Sequence, residues 1–178
     1  AEYGVAMAEA AEKHLAVNDT LFAQQTAAAL LWFERNGAEW AVMETGLGGR
    51  LDPTNAVTPQ ITVLTSIGID HTDVLGDMLE QIAHEKCGVI KEDGFLVTAP
   101  QPPVVDRMIR KTCARRGSAY EAVDGVQVTQ SSLSGQTFEF QGRRYAIRMI
   151  GVAQPINAAL AVLAARELGL PQAAVEAG

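Results

Sequence analysis

The amino-acid sequence predicts an α/β fold in which helices flank a mainly parallel sheet. Short apolar runs and amphipathic helical segments alternate from residue 20 to residue 116, and polar loops containing glycine follow the runs at residues 39–45 and 61–67. Such alternation requires helical crossovers between parallel strands. After Gly117 the pattern changes to short runs separated by turns, so a small antiparallel β region is predicted near residues 125–150.

Local signals predict the individual elements of the parallel part. Apolar residues at helical spacing indicate a helix over residues 1–16. Asp19 or Thr20 can cap a second helix that runs to Asn36, where Gly37 is a stop signal. The remaining elements are strands at residues 39–45, 61–67 and 95–99 and helices at residues 77–90 and 103–116.

The last third of the chain is predicted to form three strands and a closing helix. Turns at Ser134-Gly135 and Gln141-Gly142 separate the strands, and Gly169 ends the helix. The strands span residues 126–131, 136–140 and 143–149, and the helix spans residues 156–168. The chain is therefore interpreted as part of one domain, with an α/β part (1–117), antiparallel strands (118–150) and a closing helix (151–178).

Composition restricts the class of protein. The 178 residues are 48% hydrophobic and 20% charged, the balance of a globular domain. A net charge of −7 argues against a nucleic-acid partner. No apolar run approaches the roughly 20 residues of a membrane span, so no membrane partner is expected. Cys87 and Cys113 form no CxxC pair, which indicates reduced thiols in a cytoplasmic protein. One basic cluster is interpreted as the solvated face of a helix: Arg110, Lys111, Arg115 and Arg116.

Two polar groups follow predicted strands, where ligands bind in parallel α/β sheets. Glu44 ends the first strand, and a carboxylate there is costly unless it is paired or bound to a metal. Asp70 and His71 come just past the second strand. If the strands are close, Glu44 and His71 can converge on one divalent ion, such as Mg²⁺ held together with phosphate oxygens. Taken alone, Glu44 is equally a carboxylate in an ion pair, and His71 is similarly ambiguous.

Lys86 falls on the apolar stripe of the helix predicted at residues 77–90. A lysine on that stripe either snorkels along the core or has a function, and spacing alone favours snorkelling. Burial would lower its pKa and leave more of the neutral, nucleophilic amine. His84 and His14 are expected on helix surfaces and receive no role.

The glycine-rich loop at residues 46–55 is compared with dinucleotide fingerprints. Gly46-Leu-Gly48 matches the start of GxGxxG, but Leu51 stands where the third glycine belongs. Asp52-Pro53-Thr54 also interrupts the helix that should follow. A nicotinamide-dinucleotide site is therefore a poor interpretation, and the glycines are expected to allow close approach of a ligand or another strand.

These segments resemble the folylpolyglutamate synthase/dihydrofolate synthase family. Residues 44–55, ETGLGGRLDPTN, are similar to that family's E-x-G-L-G-G-R-L-D-A-T-N signature. Residues 66–71, SIGIDH, resemble its N-I-G-x-D-H segment. The continuation TDVLGDMLEQIAHEKCGVIK (residues 72–91) resembles the family's H-x-x-x-L-G-x-T-L-x-x-I-A-x-E-K-A-G-I-I-K run. A weaker resemblance extends over nearly the whole chain.

The resemblance implies a partial central ATPase domain of the Mur ligase type. Such enzymes use ATP to convert a carboxylate into an acyl phosphate, from which an amine displaces phosphate. The acid would be dihydropteroate or folate, the amine L-glutamate, and the parent enzyme a monomer. Glu44 and His71 would hold Mg²⁺, and Lys86 would be carboxylated by CO₂ to give a further anionic ligand. His71 and Lys86 would thus be catalytic.

The resemblance also assigns substrate and nucleotide contacts. Asp52 and Pro53 would lie in the pterin-binding part of the loop, and Asn157, with Gln154, would lie near the ATP base. Pro53 replaces the usual alanine, Ala23 replaces a common glutamate, and Ala153 replaces a common histidine beside Gln154.

No GxxxxGK[ST] phosphate loop occurs in the sequence, although the family places one upstream. We therefore expect the chain to be an inactive part of a larger enzyme, without the family's C-terminal domain. Two alternatives are another Mur-type amide ligase, acting on a cell-wall precursor or a peptide, and a non-catalytic remnant that binds a nucleotide or a partner.

Overall fold

The structure is a computed structural model that describes residues 20–178. The chain forms two compact units, Ala1–Thr58 and Pro59–Gly178. The helix predicted over residues 1–16, and His14 with it, lies outside the described residues.

Helix α1, Leu21–Arg35, is the main described element of the first unit. The Thr20 hydroxyl accepts a hydrogen bond from the Ala23 N–H at 3.2 Å, which satisfies one of the free donors at the helix start. The helix ends at Arg35 with Asn36 as its C-cap, and Gly37 follows with φ 62°, a backbone conformation that favours glycine. The predicted cap at Thr20 and the predicted stop at Gly37 are both confirmed.

The strand predicted at residues 39–45 is wrong, because the segment is irregular in the structure. A strand is held by hydrogen bonds to a neighbouring strand, and the described residues provide no such neighbour for this segment. Its apolar side chains are correspondingly open, with Trp40 62% and Val42 100% exposed. A short 3₁₀ helix, Pro53–Ala56, ends the loop that follows.

A three-stranded parallel sheet forms the centre of the second unit, which confirms the predicted fold class. Its order is β1 (Thr62–Leu64), β2 (Phe95–Thr98) and β3 (Ala119–Ala122). Strand β1 is shorter than the predicted run at residues 61–67. Strand β3 was not predicted, because residues 118–150 were all assigned to the antiparallel region.

The helices of the second unit follow the predicted order. Helix α4 has the predicted bounds, whereas the helix predicted at residues 77–90 is shorter and follows a separate short helix. Helix α5 begins two residues before the predicted residue 156, and α6 was not predicted. The bounds are α2 Thr72–Leu75, α3 Leu79–Cys87, α4 Pro103–Arg116, α5 Gln154–Glu167 and α6 Gln172–Ala177.

Strand β2 separates two hydrophobic cores. Leu96 and Val97 are adjacent in sequence and both fully buried, so they point to opposite faces of the sheet. Leu96 packs with residues of α3 and α4, and Val97 packs with α5 and a second sheet. That sheet is antiparallel, as predicted, and consists of β4 (Gln127–Ser132), β5 (Gly135–Phe140) and β6 (Arg143–Ile147).

Candidate functional site

The glycine-rich loop of the first unit is organised by the carboxylate of Asp52, which is only 7% exposed. One carboxylate oxygen accepts hydrogen bonds from the N–H groups of Gly46 (3.0 Å) and Leu47 (2.9 Å). The other accepts from the Thr54 N–H (2.9 Å) and the Thr54 hydroxyl (2.5 Å). Asp52 therefore joins the start of the loop to its end and caps the 3₁₀ helix.

Gly46 is the point at which this loop lies against helix α1. A Cβ atom at position 46 would lie 2.7 Å from Cε1 and 2.8 Å from Cζ of the Phe22 ring, closer than real side chains approach. The sequence predicted that these glycines allow a close approach, and at Gly46 the approaching group is an aromatic ring of the same unit.

Glu44 precedes the loop and is exposed. Its carboxylate makes no hydrogen bond or ion pair with any residue from 20 to 178. An exposed carboxylate with unused oxygens has the donor chemistry of a Mg²⁺ ligand. Pro53, at the first position of the 3₁₀ helix, has no N–H and therefore offers a ligand only its ring and carbonyl.

His71 lies in the second unit, in an exposed connection between two buried anchors. Ile67 is 4% exposed and Leu75 9%, whereas residues 68–74 are all exposed. His71 has φ 51° and ψ 42°, a left-handed conformation that is uncommon outside glycine. Its N–H donates to Asp70 Oδ1 at 2.8 Å, and its Nε2 lies 3.7 Å from Asp70 Oδ2. The imidazole is thus open to solvent beside one carboxylate.

Gln101, just past the carboxyl end of β2, forms hydrogen bonds with the residues that lead into this connection. Its Oε1 accepts from the Ile67 N–H at 2.9 Å. Its Nε2 donates to the Thr65 carbonyl at 2.9 Å and to the Thr98 hydroxyl oxygen at 3.1 Å. Sequence reasoning missed Gln101, because no local motif marks it.

Lys86 is half-buried on helix α3, at the border of the buried face. The fully buried positions of this helix are Ile82, Ala83 and Cys87, so the predicted stripe is one residue off centre at its end. The Lys86 ammonium makes no hydrogen bond or ion pair within the described part of the chain. A different lysine further along the chain, Lys91, has a lowered pKa, first because of burial and second because of the positive charge of Arg116.

Gln154 and Asn157 occupy the first turn of α5, and both are half-buried. They lie three residues apart and so share one face of the helix. Neither side-chain amide is hydrogen-bonded to a residue that the structure describes, which leaves their donors and acceptors for a ligand.

The predicted site residues divide between the two units. Glu44, Asp52 and Pro53 belong to the first, and His71, Lys86, Gln154 and Asn157 belong to the second. No group of three or more His, Cys, Asp or Glu side chains is placed to hold a metal within residues 20–178. The convergence of Glu44, His71 and Lys86 on one ion stays a prediction.

The Mur ligase middle domain family model matches residues 2–165, most of the sequence. This chain belongs to that family. It is 39% identical over 158 residues to the dihydrofolate synthase/folylpolyglutamate synthase of Bacillus subtilis, a match covering 84% of this chain and 37% of that protein. The chain thus spans about two fifths of the length of this relative.

Solved structures agree with the sequence match. A folylpolyglutamate synthase from Thermotoga maritima superimposes with a TM-score of 0.84 at 29% identity, over 98% of this chain and 44% of that one. A structure described as an FPGS–AMPPCP–folate complex gives a TM-score of 0.80 at 29% identity, over 94% and 44%. The partial Mur-type fold predicted from the sequence is confirmed.

Two further observations concern membrane-spanning helices and the cysteine residues. No helix among residues 20–178 is both long and apolar enough to cross a membrane. Cys87 and Cys113 are free and buried, and burial raises the pKa of the Cys87 thiol to about 11.

Proposed function

We propose that this chain is the middle-domain part of a cytoplasmic ATP-dependent ligase that joins L-glutamate to dihydropteroate or folate. The observation that carries the proposal is the coincidence of family and motif. A Mur ligase middle domain contains the run at residues 44–55 and is 39% identical to a dihydrofolate synthase/folylpolyglutamate synthase. The solved FPGS complex with AMPPCP and folate supports both ligand classes.

The chemistry has two balanced steps. The substrate carboxylate attacks the γ-phosphorus of ATP, which releases ADP and forms an acyl phosphate. The glutamate amine then attacks the acyl carbon, the C–O bond to phosphate breaks, and the amine loses its proton. Charge builds up on oxygen in both steps, so stabilisation of anionic oxygen is the main requirement.

The residues of this chain have distinct roles in that scheme. Glu44 and His71 would hold Mg²⁺, Glu44 through its exposed carboxylate oxygens and His71 through an exposed imidazole nitrogen. Lys86, as a carbamate, would be a third ligand. When bound, Mg²⁺ neutralises charge on the phosphate oxygens. Gln154 and Asn157 bind the ATP base.

Asp52 and Pro53 form part of the loop that binds the pterin. Both Asp52 oxygens already accept hydrogen bonds from the loop, so this carboxylate shapes the substrate loop. Pro53, at the start of the 3₁₀ helix, adds a rigid position beside it.

The test measures phosphate release from ATP by the complete enzyme. Release should require both glutamate and an acid, and dihydropteroate or a folate should serve whereas a cell-wall precursor acid should not. Turnover with the cell-wall precursor alone would favour a different Mur-type ligase. ATP hydrolysis that ignores every acid and amine would contradict the proposal.

Lys86→Arg tests the carbamate. Arginine retains the positive charge but cannot react with CO₂, so turnover should fall by roughly 100-fold or more, whereas a snorkelling lysine would tolerate arginine. Lys111→Arg, on the exposed side of α4, is the matched control and should leave turnover unchanged. Carbon-13 NMR with labelled bicarbonate should show a carbamate signal that Lys86→Arg removes. No signal together with normal Lys86→Arg turnover would end the assignment.

A further inference from the structure

We infer that Gln101 is a positioning residue that sets the conformation of the His71 connection, an assignment that rests on the function proposed above. Its side-chain amide lies between the carboxyl ends of β1 and β2. There it replaces the backbone ladder at the point where that ladder stops.

The hydrogen bonds fix the orientation of the Gln101 amide. The Ile67 N–H can only donate and the Thr65 carbonyl can only accept, so the Gln101 oxygen must face Ile67 and its nitrogen must face Thr65. The third bond, to the Thr98 hydroxyl oxygen, attaches the amide to the end of β2. A glutamine side chain thus acts as one extra peptide group beyond the β1–β2 pair.

The effect of this amide extends to the exposed residues that follow. Strand β1 pairs with β2 only as far as Leu64 and Thr98, and the Ala99 N–H donates to the Leu64 carbonyl at 2.9 Å. Beyond that bond, only Gln101 connects residues 65–67 to β2 by hydrogen bonds among the described residues. The buried Ile67 side chain completes the front anchor.

The connection needs such an anchor because it has few contacts of its own. Residues 68–74 are exposed, and the hydrogen bonds at the left-handed His71 are local: its N–H donates to Asp70, and its carbonyl accepts from the N–H groups of Val74 and Leu75. Left-handed backbone at a non-glycine residue is held by its surroundings. With the Gln101 bonds removed, residues 65–67 lose their fixed path and His71 loses its fixed starting point.

The test compares two variants with a control from the opposite edge of the same sheet. Gln101→Leu removes all three hydrogen bonds at similar volume. Gln101→Glu retains the acceptor for Ile67 but places an anion against the Thr65 carbonyl, and it replaces Gln101→Leu if that variant does not fold. The control is Ser118→Ala, because the buried Ser118 hydroxyl contacts the Gly94 carbonyl at 3.0 Å before β2 begins.

Two readouts separate positioning from stability. In the complete enzyme, Gln101→Leu should lower kcat by roughly 10-fold or more while KM for ATP changes less than about 3-fold, and Ser118→Ala should leave both unchanged. By NMR, the Ile67 amide should exchange faster and the His71 imidazole resonances should shift in Gln101→Leu only.

Each outcome decides one claim. Equal kcat values in Gln101→Leu and Ser118→Ala, with unmoved His71 resonances, would overturn the role of Gln101 and leave the proposed function intact. If the wild-type enzyme fails to join glutamate to either acid, the proposed function fails. The His71 resonances and Ile67 exchange then judge Gln101 alone: a shift specific to Gln101→Leu supports positioning, and its absence refutes it.

Discussion

Substitutions of Asp52 should destabilise the first unit, and a substitution that removes more of its hydrogen bonds should lower the free energy of unfolding further. In Asp52→Asn, the new NH₂ group must replace one oxygen. Facing Gly46 and Leu47 it would oppose two N–H groups, so we expect it to face Thr54, whose hydroxyl can turn to accept. One buried N–H, that of Thr54, then lacks an acceptor, at a cost of about 1–3 kcal/mol.

Asp52→Ala removes every acceptor and should cost more than the amide, about 3 kcal/mol or above, because three N–H groups lose a partner. Urea unfolding followed by tryptophan fluorescence reports on this unit, since both tryptophans, Trp32 and Trp40, belong to it. Glu44→Gln is the matched control and should lie within about 0.5 kcal/mol of wild type. The reasoning is refuted if both Asp52 variants match that control, or if the amide costs more than alanine.

Two other predictions each rest on one property of the structure, the distance between Gly46 and the Phe22 ring and the pKa of Cys87. Gly46→Ala places a Cβ against the Phe22 ring, within 2.7 Å of Cε1, and should cost about 1–3 kcal/mol. Adding Phe22→Ala should recover much of that loss in a double-mutant cycle, whereas additive effects would contradict the contact. Burial raises the pKa of Cys87 from 9.0 to about 11, so the unfolded thiol loses its proton first and stability should fall between those pH values, by on the order of 2 kcal/mol. The decline should be smaller in Cys87→Ala, and an unchanged decline would refute the assignment.

Elements with complete local signals were predictable from sequence. Helix α4 begins with Pro103 at its first position and is followed by Gly117 at φ 65°, so both ends are marked. The turn between β5 and β6 uses Gln141 and Gly142, both at positive φ. These signals act within a few residues of the helix end or turn that they mark, so they can be recognised in a single sequence.

The errors concern structure that depends on distant partners. Residues 39–45 have the apolar content of a strand, but a strand also needs a neighbour, and local sequence does not encode one. Strand β3 shows the reverse case: Ala119–Ala122 contains no β-branched residue to mark it as a strand but pairs with β2 along its whole length. Gln101 belongs with these, since its main partners lie 34 and 36 residues earlier in the chain.

The positions of Asp52 and Gln101 explain how the loops that carry exposed site residues are stabilised without hydrogen bonds to the site residues' own side chains. Each of these two side chains satisfies backbone groups of a loop, and each leaves the predicted ligand of that loop, Glu44 or His71, open to solvent. A lone pair that coordinates a metal cannot at the same time accept a hydrogen bond from the loop, so a loop stabilised by another side chain leaves its ligand's lone pairs available. Stability and ligand binding should therefore separate by residue. Substitution of Asp52 should lower the free energy of unfolding, whereas substitution of Glu44 or His71 should lower turnover with little effect on folding. A large loss of stability in Glu44→Ala would show that the two functions are not separated in this way.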